Sequence, residues 1–242
     1  MRRVLLGGLY LLLVMTVPVC IMAEELISQA DALYDQGGTE NYLKSGDLFA
    51  QALSADPSSY EAAWKASRSY REYANACKEN EVEGWKDICK EYGKLGMNFG
   101  DKAIELNAEG IEGYFWYGCS VGNYSDGVSI LTALKEGLKD KTQSSFEKSY
   151  ELNKMYDDGG PIKALGRFWF VLPWPLQKKD TSLGYLREYN QLFPNDAEGQ
   201  VFLAEVLLKT DGEDEAKALL QKASASDEQY FANWAKRLLS DI

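Results

Sequence analysis

An all-α fold of stacked antiparallel helix pairs is what this sequence predicts, on three observations. Apolar residues recur at helical spacing along nearly the whole chain beyond the first two dozen residues, and strand-like alternation bounded by turn pairs is missing. Only 6 of the 242 residues are proline, so few helices are interrupted. A spacing of small and large residues also repeats along the chain, which marks a repeat architecture. With 45% hydrophobic and 12% aromatic residues, a continuous core can be filled.

The clearest copy of the repeat starts at Ala197. Leu203 and Ala204 stand at about positions 7 and 8 of a unit of about 34 residues, Leu207 at about 11, Ala216 at about 20, Leu220 at about 24 and Ala223 at about 27. Small residues let two helices approach, and large ones fill the gaps between neighbours. This is the tetratricopeptide pattern, so the predicted fold is a tetratricopeptide-like α-solenoid with a C-terminal capping helix. Its units run over about 24–58, 60–108, 111–156, 159–194 and 197–226, with the cap at 227–240. Asp56-Pro57 closes the first, Tyr60 opens the second with Ala66, Ser67 and Tyr70 in the key places, and Phe193-Pro194 closes the fourth.

The first residues read as a targeting segment. Met1-Arg2-Arg3 precedes an apolar run over Val4–Val19, and Ala23 stands before Glu24-Glu25, so cleavage after Ala23 and export are expected. The apolar run is short of the ~20 residues of a spanning helix. Lipid attachment at Cys20 is the weaker alternative, because Pro18-Val19 is not the small-residue approach such a cysteine has. An exported chain permits disulfides, and Cys77 with Cys89 is the closest pair; the alternative is buried free thiols packing as small hydrophobes.

Composition narrows the function classes. Histidine is absent, which removes Ser-His-Asp and Cys-His catalysis and His-ligated metals. The net charge of −11 and the lack of a basic stripe argue against nucleic acid. No nucleotide, haem or metal motif is present, so no cofactor and no enzymatic activity are expected.

The tetratricopeptide register assigns groove-facing residues. It places Trp64, Arg68 and Arg71 of the second unit, Phe115 of the third, Lys163, Arg167 and Phe170 of the fourth, and Glu205 of the last along the concave side. Cations and aromatics on one groove predict an anionic or amphipathic ligand, or an acidic peptide. Leu172-Pro173-Trp174-Pro175-Leu176 departs from the repeat. It predicts an extended connection whose bulky Trp174 lies on the solenoid or walls a ligand cavity.

Gly159-Gly160-Pro161, Ala164-Leu165-Gly166-Arg167 and the Pro173-Trp174-Pro175 run together resemble one family. It is the tetratricopeptide component associated with tripartite ATP-independent periplasmic (TRAP) transporters, the TatT family. The resemblance implies a periplasmic, non-catalytic protein that forms homotrimers. It also implies a TRAP solute-binding protein as partner and a hydrophobic or anionic organic ligand. Members are often lipoproteins, from which the sequence around Cys20 departs. The expected function is thus a periplasmic binding protein accessory to solute uptake; the alternative is a general scaffold for protein–protein interactions.

Overall fold

The computed structural model describes residues 19–242. All regular structure among them is helical, and consecutive helices pack antiparallel as the repeat pattern predicts. Helices α1 (Val19–Gln36) and α2 (Thr39–Ala55) form the first pair, α3 (Tyr60–Glu79) and α4 (Trp85–Leu106) the second. In the third, α5 (Ile111–Val128) packs on α7 (Leu138–Asn153), with the short α6 (Ile130–Lys135) between them. Then come α8 (Tyr156–Val171) with α9 (Lys179–Leu192), α10 (Ala197–Leu207) with α11 (Glu213–Ala223), and α12 (Gln229–Ser240).

Local chemistry sets the ends. The Ser59 hydroxyl accepts from the Ala62 N–H at the start of α3, and the Asp196 carboxylate accepts from the Gly199 N–H at the start of α10. Both caps follow the Pro that closed the preceding repeat, Pro57 and Pro194. The core runs through the solenoid as successive clusters. Phe49 and Tyr70 centre the first, Tyr117 and Val121 the next, Phe115, Leu165 and Trp169 the third, and Val201, Leu207 and Leu220 the last.

The backbones of α4 and α5 approach closely. A Cβ at Gly93 would stand 2.5 Å from the Tyr124 backbone nitrogen, and one at Gly100 would stand 2.9 Å from Tyr117 Cα. Glycine on α4 therefore lets the backbone of α5 settle against it.

Two features correct or refine the sequence reading. Ala23 is buried within α1, and the helix continues through Glu24 and Glu25. The expected cleavage junction after Ala23 thus lies within a helix. The apolar run before Val19 lies outside the described residues, as does the side chain of Cys20. The second feature is the entry to α8, where Asp157, Asp158 and Gly159 take left-handed φ values of 49°, 51° and 76°. Regular helix begins at Gly160, and the left-handed turn aims Asp157 toward the concave side.

Candidate functional site: the concave cavity

Helices α3, α5, α6, α7, α8, α10 and α12 line a cavity of about 450 Å³. Its wall is largely aromatic and aliphatic: Phe115 and Trp116 from α5, Phe168 from α8, Phe202 from α10, and Tyr230 and Trp234 from α12. The cap helix reaches across to the second repeat, where the Lys78 ammonium lies 6.0 Å from the Tyr230 ring centre. The space thus has walls from repeats far apart in the sequence.

Four of the eight residues that the register assigned to the groove are brought together here: Arg71, Phe115, Lys163 and Arg167. Phe115 is buried and meets Tyr156 edge-on at 5.3 Å between centroids. Arg167 sits between the rings of Phe202 and Trp234, at 4.4 and 5.3 Å from their centres. Trp64 and Arg68 lie beside the cavity rather than in its lining. The Arg68 guanidinium stacks on Tyr34 at 3.6 Å and on Trp64 at 4.9 Å.

Phe170 turns away and packs with the C-terminal cluster. Trp174 stands outside the cavity, 88% exposed, while Leu172 beside it is buried. The loop is held by backbone, with the Lys178 N–H donating to the Trp169 carbonyl at 3.1 Å.

Each cation in the lining already has a carboxylate. Arg71 pairs with Glu72 at 2.7 Å and Lys78 with Asp126 at 2.6 Å, while Lys139 pairs with Asp140 at 2.8 Å. Lys163 pairs with Glu198 at 2.5 Å and Arg167 with Glu205. Burial pulls the Lys163 and Arg71 pKa values downward, but the neighbouring carboxylates outweigh it and hold both cations above their ordinary range. Burial likewise pushes the Glu198 carboxyl upward, and Lys163 and Arg71 more than reverse that, leaving it depressed.

Two lining carboxylates, Glu79 and Asp157, have no ion-pair partner among the described residues. Glu79 accepts only from the Asn75 amide, at 2.8 Å. Burial, with the Glu72 charge adding to it, raises both above the usual carboxylate range.

This arrangement changes the electrostatic reading of the groove. The cations expected to attract an anion are already neutralised, and the unbalanced charge is negative. The tetratricopeptide register shows which helix positions face inward, but not which acids from the next repeat meet them. Glu198, Glu79 and Asp157 are therefore site residues that the sequence reading missed, as are the aromatics of α12. A cap helix was expected, but the pattern carried no sign that it would face α3.

Cys77, Cys89 and Cys119 stand as free thiols. Cys77 and Cys89 are buried on α3 and α4, and the Cys89 thiol donates to the Ala74 carbonyl at 3.5 Å. Burial pushes the Cys89 and Cys119 thiols up to about 12.

Comparisons with known proteins agree on the fold and correct the family. A thermophilic TPR protein of Thermus thermophilus superposes with a TM-score of 0.62 at 17% identity, over 90% of this chain and 99% of that one. YrrB, described as a TPR protein with an unusual peptide-binding site, gives 0.52 at 15% identity over 90% and 92%. At these identities the likeness shows the fold alone.

Regulator of microtubule dynamics protein 1 of Bos taurus is 26% identical over 188 residues, covering 71% of this chain and 55% of that protein. The protein of the same name from Mus musculus is 25% identical over 219 residues, covering 83% and 67%. The chain thus spans little more than half the length of the cattle protein. The family described as Regulator of microtubule dynamics protein 1-3 matches residues 26–172.

That match overturns the TatT resemblance and what it implied: a TRAP solute-binding protein as partner, a transported organic ligand, a homotrimer, and an exported periplasmic location. The matched stretch stops before Pro173-Trp174-Pro175, the run on which the resemblance chiefly rested, and Trp174 is packed against nothing that would fix its identity. The match over 26–172 takes in nearly all of α1 to α8 and most of the cavity wall, and on that ground the chain belongs to the regulator of microtubule dynamics protein 1–3 family.

Proposed function

We propose that this protein is a non-catalytic interaction scaffold whose concave cavity seats a segment of a partner protein. The observation that carries this reading is the cavity itself. It is aromatic-walled, about 450 Å³ in volume, and lined by seven helices of the repeat fold. A concave surface of stacked helix pairs is the face on which such folds bind extended chains. Aromatic rings there offer large contact area at low entropic cost. The peptide-binding site named for YrrB, a protein of the same fold, supports the same use. The name of the relatives, Regulator of microtubule dynamics protein 1, supports a partner in a microtubule-related context.

Photo-crosslinking tests this. A benzophenone amino acid at Val171, in the cavity lining, should crosslink one defined segment of a partner in cell extract. The same group at exposed Glu105 on α4 should not. Equal yields from both positions, or none from Val171, would refute the proposal.

A further inference from the structure

We propose that the cavity selects a segment carrying a lysine or arginine between apolar residues, the cation meeting Asp157 or Glu79 and the flanks meeting the aromatic wall. This deepens the reading above and rests on it. Three observations converge. First, the five cations of the lining are each within ion-pair distance of a carboxylate, so none offers free charge to an acidic partner.

Second, Asp157 and Glu79 are the lining carboxylates without an ion-pair partner among the described residues. Both are members of the same cavity lining, Glu79 at the end of α3 and Asp157 at the entry to α8. Third, the same lining carries a large aromatic wall, with Phe115, Phe168, Phe202 and Trp234.

An incoming ammonium or guanidinium would balance charge that the fold leaves unbalanced beside an apolar wall. An incoming carboxylate would add a like charge and be repelled. A purely apolar segment would fill the wall but cover Asp157 and Glu79, at the cost of desolvating two unpaired acids. The pairing is therefore a matter of specificity as much as affinity. The surrounding rings offer cation–π contact as well, as Arg167 already shows between Phe202 and Trp234.

The test is a random dodecapeptide display library selected on the immobilised full chain, with the pool sequenced after each round. The expected result is enrichment of Lys or Arg at one position with aromatic or aliphatic residues on both sides. The selected peptides should bind the Asp157→Asn/Glu79→Gln double variant at least tenfold more weakly, while thermal melting shows that the variant is folded. The charge-swapped Asp157→Lys variant should shift the enriched residue toward Asp or Glu. A consensus with acidic or uncharged residues there, lost on Trp234→Ala, would overturn this inference and leave the scaffold reading standing. So would a basic consensus indifferent to both carboxylates but lost on Trp234→Ala. If no enriched peptide depends on any cavity residue, both readings fall.

Discussion

At the scale of single residues, the turn before α8 concentrates the cost of building the cavity. Asp157 and Asp158 hold left-handed φ values of 49° and 51°, a region that costs an L-residue roughly 1–2 kcal/mol each. Asp158→Gly should therefore stabilise the fold by about 1 kcal/mol, read as a rise in Tm. Asp157 adds a second cost, because burial and the Glu72 charge raise its carboxyl pKa. A carboxyl whose folded value lies above its unfolded one opposes folding while it is ionised, and that opposition fades as pH falls through the raised value.

Asp157→Asn keeps a residue tolerant of the left-handed region and removes the charge. It should raise Tm at neutral pH, with the gain over the parent chain shrinking as the pH falls through the raised value toward the ordinary carboxylate range; melts across that range check it. A residue that costs stability yet faces a cavity is what a binding site looks like from the side of folding.

None of this was readable from the sequence, where Asp157-Asp158-Gly159-Gly160 looks like an ordinary turn. Arg71, Phe115, Lys163 and Arg167 were readable as inward-facing, because the helix register is a local property. Their electrostatic state was not. Lys163 and Arg167 are neutralised by Glu198 and Glu205, which stand 35 and 38 residues away, about one repeat further on. A charge balance made between successive repeats emerges only when the repeats are stacked.

At the scale of elements, the α4–α5 contact shows why glycine on one helix can oppose its own helix propensity. Glycine in an exposed helix interior costs about 1 kcal/mol relative to alanine. At Gly93 that cost is offset by the approach it permits, since a methyl group would collide with the α5 backbone at 2.5 Å. Gly93→Ala should destabilise the chain by about 1–3 kcal/mol, because a backbone neighbour cannot yield as a side chain can. Gly122 on α5 meets nothing within 4 Å of an added Cβ, so Gly122→Ala should stabilise by up to about 1 kcal/mol.

Urea unfolding of the two variants reads both signs in one experiment. The general rule of small residues at helix crossings was legible in the sequence. Which glycines sit at the crossing was not, because the stretched second and third units blur the spacing.

At the scale of the molecule, the solenoid's energetics are nearly one-dimensional, whereas its cavity is not. Each helix pair packs chiefly on its neighbours, so damage should stay local. Trp234→Ala, at the cap, should raise amide exchange in α10 to α12 and leave α3 to α5 protected. The cavity joins what the stacking keeps apart, since Lys78 of α3 and Tyr230 of α12 face each other across it. A segment seated there contacts the second helix pair and the cap at once. Adding a bound peptide should therefore slow amide exchange together in residues 71–79 and 229–234, with the convex face of α4 unchanged. The two stretches should also lose that protection at the same peptide concentration on dilution. Protection confined to one stretch would mean that the partner sits on a single helix pair, and the enclosed space would then be a by-product of the superhelix rather than its binding site.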